Sequence, residues 1–171
     1  MILGMNVVVR MAEPSDVRTL RETRIAALRD TPRAFGSTLQ RELGRTNEQW
    51  LSWMTKGGHV FFAEHGEGRV AGMVCSAPDF DEADVIRLLA MWVAPGARRQ
   101  GVGDLLVQAV VATAQQEGAR AVALHVVDDN EPACRLYARN GFVDRGVTRV
   151  RERDDAVELD LIHILEAQHS S

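Results

Sequence analysis

The chain has 171 residues, 46% of them hydrophobic and 26% charged, with a formal net charge of −4. That length suits a single domain over residues 1–171 with one substantial core, and no apolar run reaches the roughly 18 to 20 residues of a membrane helix. The negative balance argues against general nucleic-acid binding, which needs many Lys and Arg contacts to phosphate, and slightly favours a cationic partner. Residues 1–6 lack the positive flank and apolar length of a secretory signal, so a cytoplasmic location is expected. The cysteines, Cys75 and Cys134, stand in no ligand cluster, and neither a disulfide framework nor a bound metal is expected.

Residues 6–11 are Val-rich, alternate weakly and read as a strand. Glu13-Pro14-Ser15-Asp16 then opens a helix that runs to about Asp30. Val17, Leu20, Ile25 and Leu28 form its apolar stripe, and Arg18, Arg21, Arg24 and Arg29 are expected on its wet side. A second helical region breaks near Gly44 and restarts after Thr46, a candidate N-cap, with Trp50, Leu51 and Met54 on one side. Residues 60–64 and 69–77 flank His65-Gly66-Glu67-Gly68, the pattern of a hairpin. Residues 85–93 are a longer strand, and Leu105, Leu106, Ala109, Val110 and Ala114 recur at helical spacing up to Gly118. Residues 121–127 read as a buried strand, and Asn130 caps a short helix over 131–139 that stops at Gly141. A hairpin of residues 143–152 and 156–165 across Asp154-Asp155 closes the pattern, followed by a loose tail through Ser171. This order predicts a mixed α/β sheet with helices on its faces, whose open edges leave room for a homodimer.

The strand over 85–93 meets the next helix through Ala94-Pro95-Gly96-Ala97-Arg98-Arg99-Gln100-Gly101-Val102-Gly103-Asp104. Gly101 and Gly103 bare the backbone where the first helical amides have no internal partner. A helix N-terminus carries partial positive charge, and Arg98 and Arg99 add full charges, so the turn suits a diphosphate. A P-loop would place Lys and then Ser or Thr after the last glycine, where this chain has Asp104-Leu105. A dinucleotide fingerprint would need glycine at position 106, which is Leu.

Arg98, Gly101 and Gly103 match the pattern R/Q-x-x-G-x-G/A. Leu124-His125-Val126 with Asn130, Ala133, Leu136, Tyr137, Gly141 and Phe142 match L-x-V…N-x-x-A-x-x-L-Y-x-x-x-G-F. Together they resemble the acetyl-CoA motifs of the GNAT N-acetyltransferase superfamily, over residues from about 85 to 165. Arg24, Ala27, Leu28 and Ala34-Phe35-Gly36-Ser37-Thr38 more softly resemble the first two helices of a bacterial subgroup. The resemblance implies the GNAT acyl-CoA N-acyltransferase fold, a mixed central sheet of about seven strands flanked by helices. It also implies transfer of an acetyl group from acetyl-CoA to a primary amine by direct attack in a ternary complex.

On this resemblance the backbone of Met91, Trp92 and Val93 binds the acetyl and pantetheine end. Arg98, Arg99, Gln100, Gly101, Val102, Gly103 and Asp104 surround the pyrophosphate, although a carboxylate at Asp104 is discordant beside a diphosphate. Asn130, Ala133 and Tyr137 share one helix face by their spacing; the resemblance turns that face to CoA, with Asn130 on pantetheine and Tyr137 as the acid for the leaving thiolate. Phe35 is an acceptor wall by the same resemblance. The strand position that often carries a Glu base holds Arg87, which cannot act as one. His125 occupies a slot used by the base in members resembling the ribosomal-protein N-terminal acetyltransferases, so it is a candidate base, with a satisfied strand histidine as the alternative. Glu64 and Asp84 stand in reserve, and Cys134 reads as packing. Asp79, Asp81, Glu82 and Asp84 could attract a cationic acceptor. The acceptor stays open among a polyamine, an amino acid, an aminoglycoside-like drug and a protein N-terminus or lysine. Arg87 and Asp104 keep a catalytically weak acyl-CoA-binding regulatory domain as the alternative.

Overall fold

The computed structural model describes residues 6–66 and 68–166. The chain start at 1–5, Glu67 of the expected hairpin turn and the expected tail at 167–171 lie outside them. In chain order the elements are β1 (Val7–Met11), α1 (Val17–Asp30), α2 (Leu39–Leu43), α3 (Asn47–Thr55), β2 (His59–His65), β3 (Arg69–Pro78), β4 (Val85–Val93), α4 (Val102–Gln116), β5 (Ala121–Val127), α5 (Glu131–Arg139), β6 (Val143–Arg151) and β7 (Ala156–Ile164). They form the expected mixed sheet, seven strands in the order β1-β2-β3-β4-β5-β7-β6. Among the described residues only β4 and β5 run parallel; the final hairpin docks by its second strand, so β7 lies between β5 and β6.

Alternation along β2 divides the core between two layers. Phe61 and Ala63 face Leu106, Val107 and Val110 of α4, while Val60 and Phe62 face Leu20 of α1 and Trp50 of α3. Thr46 caps α3 as its sequence suggests: its hydroxyl accepts from the Gln49 amide at 3.2 Å, and the Gln49 side chain returns to the Thr46 amide at 2.9 Å.

The arginine pattern of α1 differs from expectation. Arg18, Arg21 and Arg29 are exposed, but Arg24 points inward and is only 4% exposed. It stands four residues after Leu20 and four before Leu28, both buried, so it belongs to the buried stripe of the helix. Ile25, expected in that stripe, is only half-buried.

Two irregularities open the sheet. On β3, Met73 and Cys75 are two residues apart, yet they pair with Trp92 and Leu89, which are three apart. The extra residue is a bulge in β4, where Ala90 adopts φ 53°, and a bulge bends its strand and sharpens its twist. The parallel ladder between β4 and β5 covers only Val85–Arg87 against Ala121–Ala123. From Leu88 onward β4 no longer pairs with β5, and a wedge opens towards the carboxyl ends of both strands.

Candidate active site

The wedge contains a cavity of about 590 Å³. One wall is Leu88, Ala90 and Met91 of β4; opposite stand His125 of β5 and Asn130, Ala133 and Tyr137 at and along α5. The far end is closed by Arg24 of α1, Trp53 of α3 and the loop that carries Phe35. The face inferred from the spacing of Asn130, Ala133 and Tyr137 is therefore turned into the cavity. Asn130 accepts from the Ala133 amide at 3.4 Å as N-cap of α5, which leaves its side-chain N–H groups to donate.

Tyr137 is buried, its ring edge-on to Phe142 at a centroid distance of 5.7 Å. Burial pushes its phenol well above the ordinary range, Cys134 adds to this, and no hydrogen bond contributes. It remains protonated at neutral pH. His125 is pulled the other way: burial, then Arg149 and Arg87, lower the imidazole from its ordinary value and outweigh Asp160 and Glu158. Its Nε2 is 3.9 Å from Asp160, too long for a hydrogen bond, and the ring lines the cavity.

The turn after β4 is built as a cradle. Gly101 takes φ 80° as the α4 N-cap, a left-handed conformation that suits glycine, and Arg99 just before it has φ 61°. The first helical bond runs from the Leu105 amide to the Gly101 carbonyl at 3.2 Å, which leaves the amides of Val102, Gly103 and Asp104 ahead of the hydrogen-bonded ladder. A Cβ on Gly103 would stand 3.1 Å from Leu136, so the bare backbone lets α4 approach α5 one residue before Tyr137. These features fit a diphosphate ligand, the pyrophosphate of acetyl-CoA being the one the motifs call for.

Of the polar side chains of the turn, exposed Arg99 makes no ion pair or hydrogen bond among the described residues, and the others are occupied. Arg98 pairs with Asp30 and donates to the Val93 carbonyl at 3.0 Å. Asp30 also accepts from the Trp92 indole at 2.9 Å, so Trp92 and Arg98 tie the turn to the end of α1. Gln100 donates to the Gly96 carbonyl at 3.1 Å. The discordance at Asp104 is relieved by α5: Arg139 donates to both carboxylate oxygens at 2.7 and 2.8 Å, and Asn140 donates at 2.8 Å. The Arg139 bonds hold this carboxyl below the usual range, burial opposing them and Asn140 assisting.

The other candidates lie elsewhere. Glu64 is paired with Arg10 at 2.9 Å, and neither Glu64 nor Asp84 lines the cavity. Arg87 sits between Asp79 and Asp160. The acidic run before β4 presents only part of the expected negative charge: Asp79 is bound by Arg87, and Glu82 by Arg120 and Arg145, while Asp81 and Asp84 are exposed, make no ion pair among the described residues and do not line the cavity. Burial raises the Cys134 thiol, which removes thiolate character from it. Among the described residues no group of three or more His, Cys, Asp and Glu side chains is placed to hold a metal ion, and no helix is long and apolar enough to cross a membrane.

Several features of the cavity and its Phe35 loop were not expected from the sequence. Arg24 stacks over Phe35 at 4.5 Å and lies 5.7 Å from the Trp53 ring; its position in the α1 stripe was the available signal. Arg151 and Arg153, in and after β6, donate to the carbonyls of Arg33, Phe35 and Ser37 at 2.8 to 3.0 Å. They clamp the Phe35 loop across more than 110 residues of chain, which no local pattern announces.

A wedge between parallel strands, a glycine turn feeding a helix and a tyrosine helix after the next strand together define an acyl-CoA N-acyltransferase fold. The model of the Acetyltransferase (GNAT) family matches residues 24–142, and the chain belongs to that family. It is 33% identical over 91 residues to the protein named "Probable N-acetyltransferase camello" of Xenopus tropicalis, covering 53% of this chain and 42% of that one. The chain thus spans less than half the length of that relative. Among solved structures, a GCN5-related N-acetyltransferase from Kribbella flavida is 26% identical with TM-score 0.76, covering 93% of this chain and 98% of its own. The fold also matches yncA of Salmonella typhimurium, solved with its cofactor acetyl-CoA, at TM-score 0.79, 17% identity and coverage of 97% and 98%.

Proposed function

We propose that the protein is an acetyl-CoA-dependent N-acetyltransferase in which a primary amine attacks the thioester directly in a ternary complex. The observation that carries this reading is the close approach of α4 to α5 at Gly103, where an added Cβ would stand 3.1 Å from Leu136; it brings the amide cradle of α4 beside the helix that carries Tyr137 into the wedge. The diphosphate binds the amides of Gly101, Val102 and Gly103, with Arg98, Arg99, Gln100 and Asp104 forming the rest of the turn. The pantetheine arm runs past Asn130 and Ala133 and the backbone of Met91, Trp92 and Val93 to the cavity. The amine nitrogen forms its bond to the acetyl carbon as the carbon–sulfur bond breaks. Neutral His125 takes the amine proton, directly or through water, and Tyr137 donates to the departing thiolate. The products are the N-acetyl amine and CoA thiol. Phe35 lines the acceptor end.

The reading treats the chain as one domain acting in the cytoplasm, with a homodimer open to it along either sheet edge. Acetyl-CoA should stabilise the protein against thermal unfolding, and thiol release should depend on added amine. Arg87, held between two carboxylates, favours one other reading, an acyl-CoA-binding regulatory domain. Stabilisation by acetyl-CoA without turnover on any amine would support that alternative.

A further inference from the structure

The chain is acidic, yet the cavity is not. Its lining holds five cationic side chains, Arg24, Arg41, Arg45, Lys56 and Arg149, against the carboxylates of Glu42 and Glu158. Both carboxylates are already bound: Glu42 by Arg45, Glu158 by Arg149 and, at 3.2 Å, by Arg151. Exposed Arg41 and Lys56 at the mouth make no ion pair among the described residues. Arg24 is the telling group. Its side chain is 5% exposed, its nearest carboxylate oxygen on Glu42 is 3.8 Å away, and its Nε and Nη1 have no hydrogen-bond partner. A buried guanidinium with unpartnered N–H groups is costly unless an acceptor reaches it. Its guanidinium carbon lies 4.5 Å from the Phe35 ring centroid and 5.7 Å from that of Trp53, and a planar guanidinium suits a carboxylate in bidentate fashion.

Resting on the acetyltransferase reading, we propose that the acceptor is a primary amine that also carries an anionic group, a carboxylate in the simplest case. Arg24 receives that group, Arg41 and Lys56 attract it at the mouth, and the amine faces His125 and Tyr137 on the opposite wall. A polycation meets like charge in this cavity and is disfavoured, as like-charge juxtaposition requires.

Thiol release from acetyl-CoA tests this with free glutamate, methionine and phenylalanine, the carboxamide of each, and spermidine. At least one free amino acid should exceed its carboxamide in kcat/KM by about tenfold or more, the scale of one lost charged hydrogen bond, with spermidine poorest. Arg24→Met keeps an unbranched apolar stem and removes the guanidinium; it should raise KM for the carboxylate substrate about tenfold, abolishing the preference with a smaller change in kcat. The double substitution of exposed Arg41 and Lys56 to Ala, which spares the core, should lower the same preference if Arg24→Met does not fold. Equal rates on acids and carboxamides, or a preference for spermidine, would overturn the anionic acceptor while leaving the acetyltransferase reading intact. A preference untouched in the folded variants would also overturn it. Absence of amine-dependent thiol release across the whole panel would overturn both.

Discussion

Replacing Tyr137 with Phe removes one hydroxyl and little else. The ring is 5% exposed and packs edge-on against Phe142, so Phe keeps the buried apolar area and leaves no void. No hydrogen bond contributes to the raised phenol, so no protein partner is orphaned, and the stability change should stay within about 1 kcal/mol. The rate should respond differently. A positioned proton donor contributes about 100- to 10,000-fold, about 2.7 to 5.5 kcal/mol of barrier at about 1.36 kcal/mol per tenfold. Because the cavity is open to water that can protonate the thiolate in its place, the loss should fall near the lower end, about 100-fold in kcat. The assay is thiol release at saturating acetyl-CoA and amine over about pH 6 to 9, beside thermal unfolding with and without acetyl-CoA. The expected result is a fall in kcat with unchanged stabilisation by acetyl-CoA. Turnover within about threefold of the parent at every pH would refute the acid role.

His125 and Gly101 make two further cases. The lowered imidazole puts the neutral, proton-accepting form in place throughout neutral pH, so kcat/KM should rise with pH along a limb lying below the ordinary value of about 6.5. His125→Ala should remove that limb from the profile; an unchanged profile would exclude His125 as base. The same lowered value means that the unfolded chain takes up a proton first as pH falls below about 6.5. His125 therefore makes no difference to stability above that pH and lowers it progressively below, a loss the Ala variant should lack in pH-dependent thermal melts. Gly101→Ala meets open space but must hold φ 80°, at a cost of about 1 to 2 kcal/mol. That corresponds to about 2 to 8 °C in Tm, with weaker stabilisation by acetyl-CoA; a variant that melts with the parent would show that the turn relaxes without strain.

The parts of the site legible in the sequence rest on short-range geometry. A glycine N-cap, the free amides after it and the shared face of Asn130, Ala133 and Tyr137 are consequences of helix geometry over a few residues, and the structure places them at one wedge. The strands and helices were legible for the same reason, since periodicity and caps act locally. The wedge itself required the sheet: the bulge at Ala90 exists only in the register of β3 against β4. Nor does local pattern place β7 between β5 and β6, or bring Arg151 and Arg153 onto the Phe35 loop.

Charge shows the division most plainly. Composition alone made the chain acidic, and the run from Asp79 to Asp84 looked like a surface for cations. Tertiary structure consumes two carboxylates of that run, Asp79 and Glu82, in pairs with Arg87, Arg120 and Arg145, quiets Asp104 with Arg139, and turns Arg24 from the expected wet side into the cavity. A charge's influence depends on its distance to other charges and to solvent, and those distances are set by residues far apart in the chain. The sequence by itself determined which helix end bares its amides and which residues share a helix face; only the packed sheet decided that the cavity between β4 and β5 is lined by more cationic than anionic side chains.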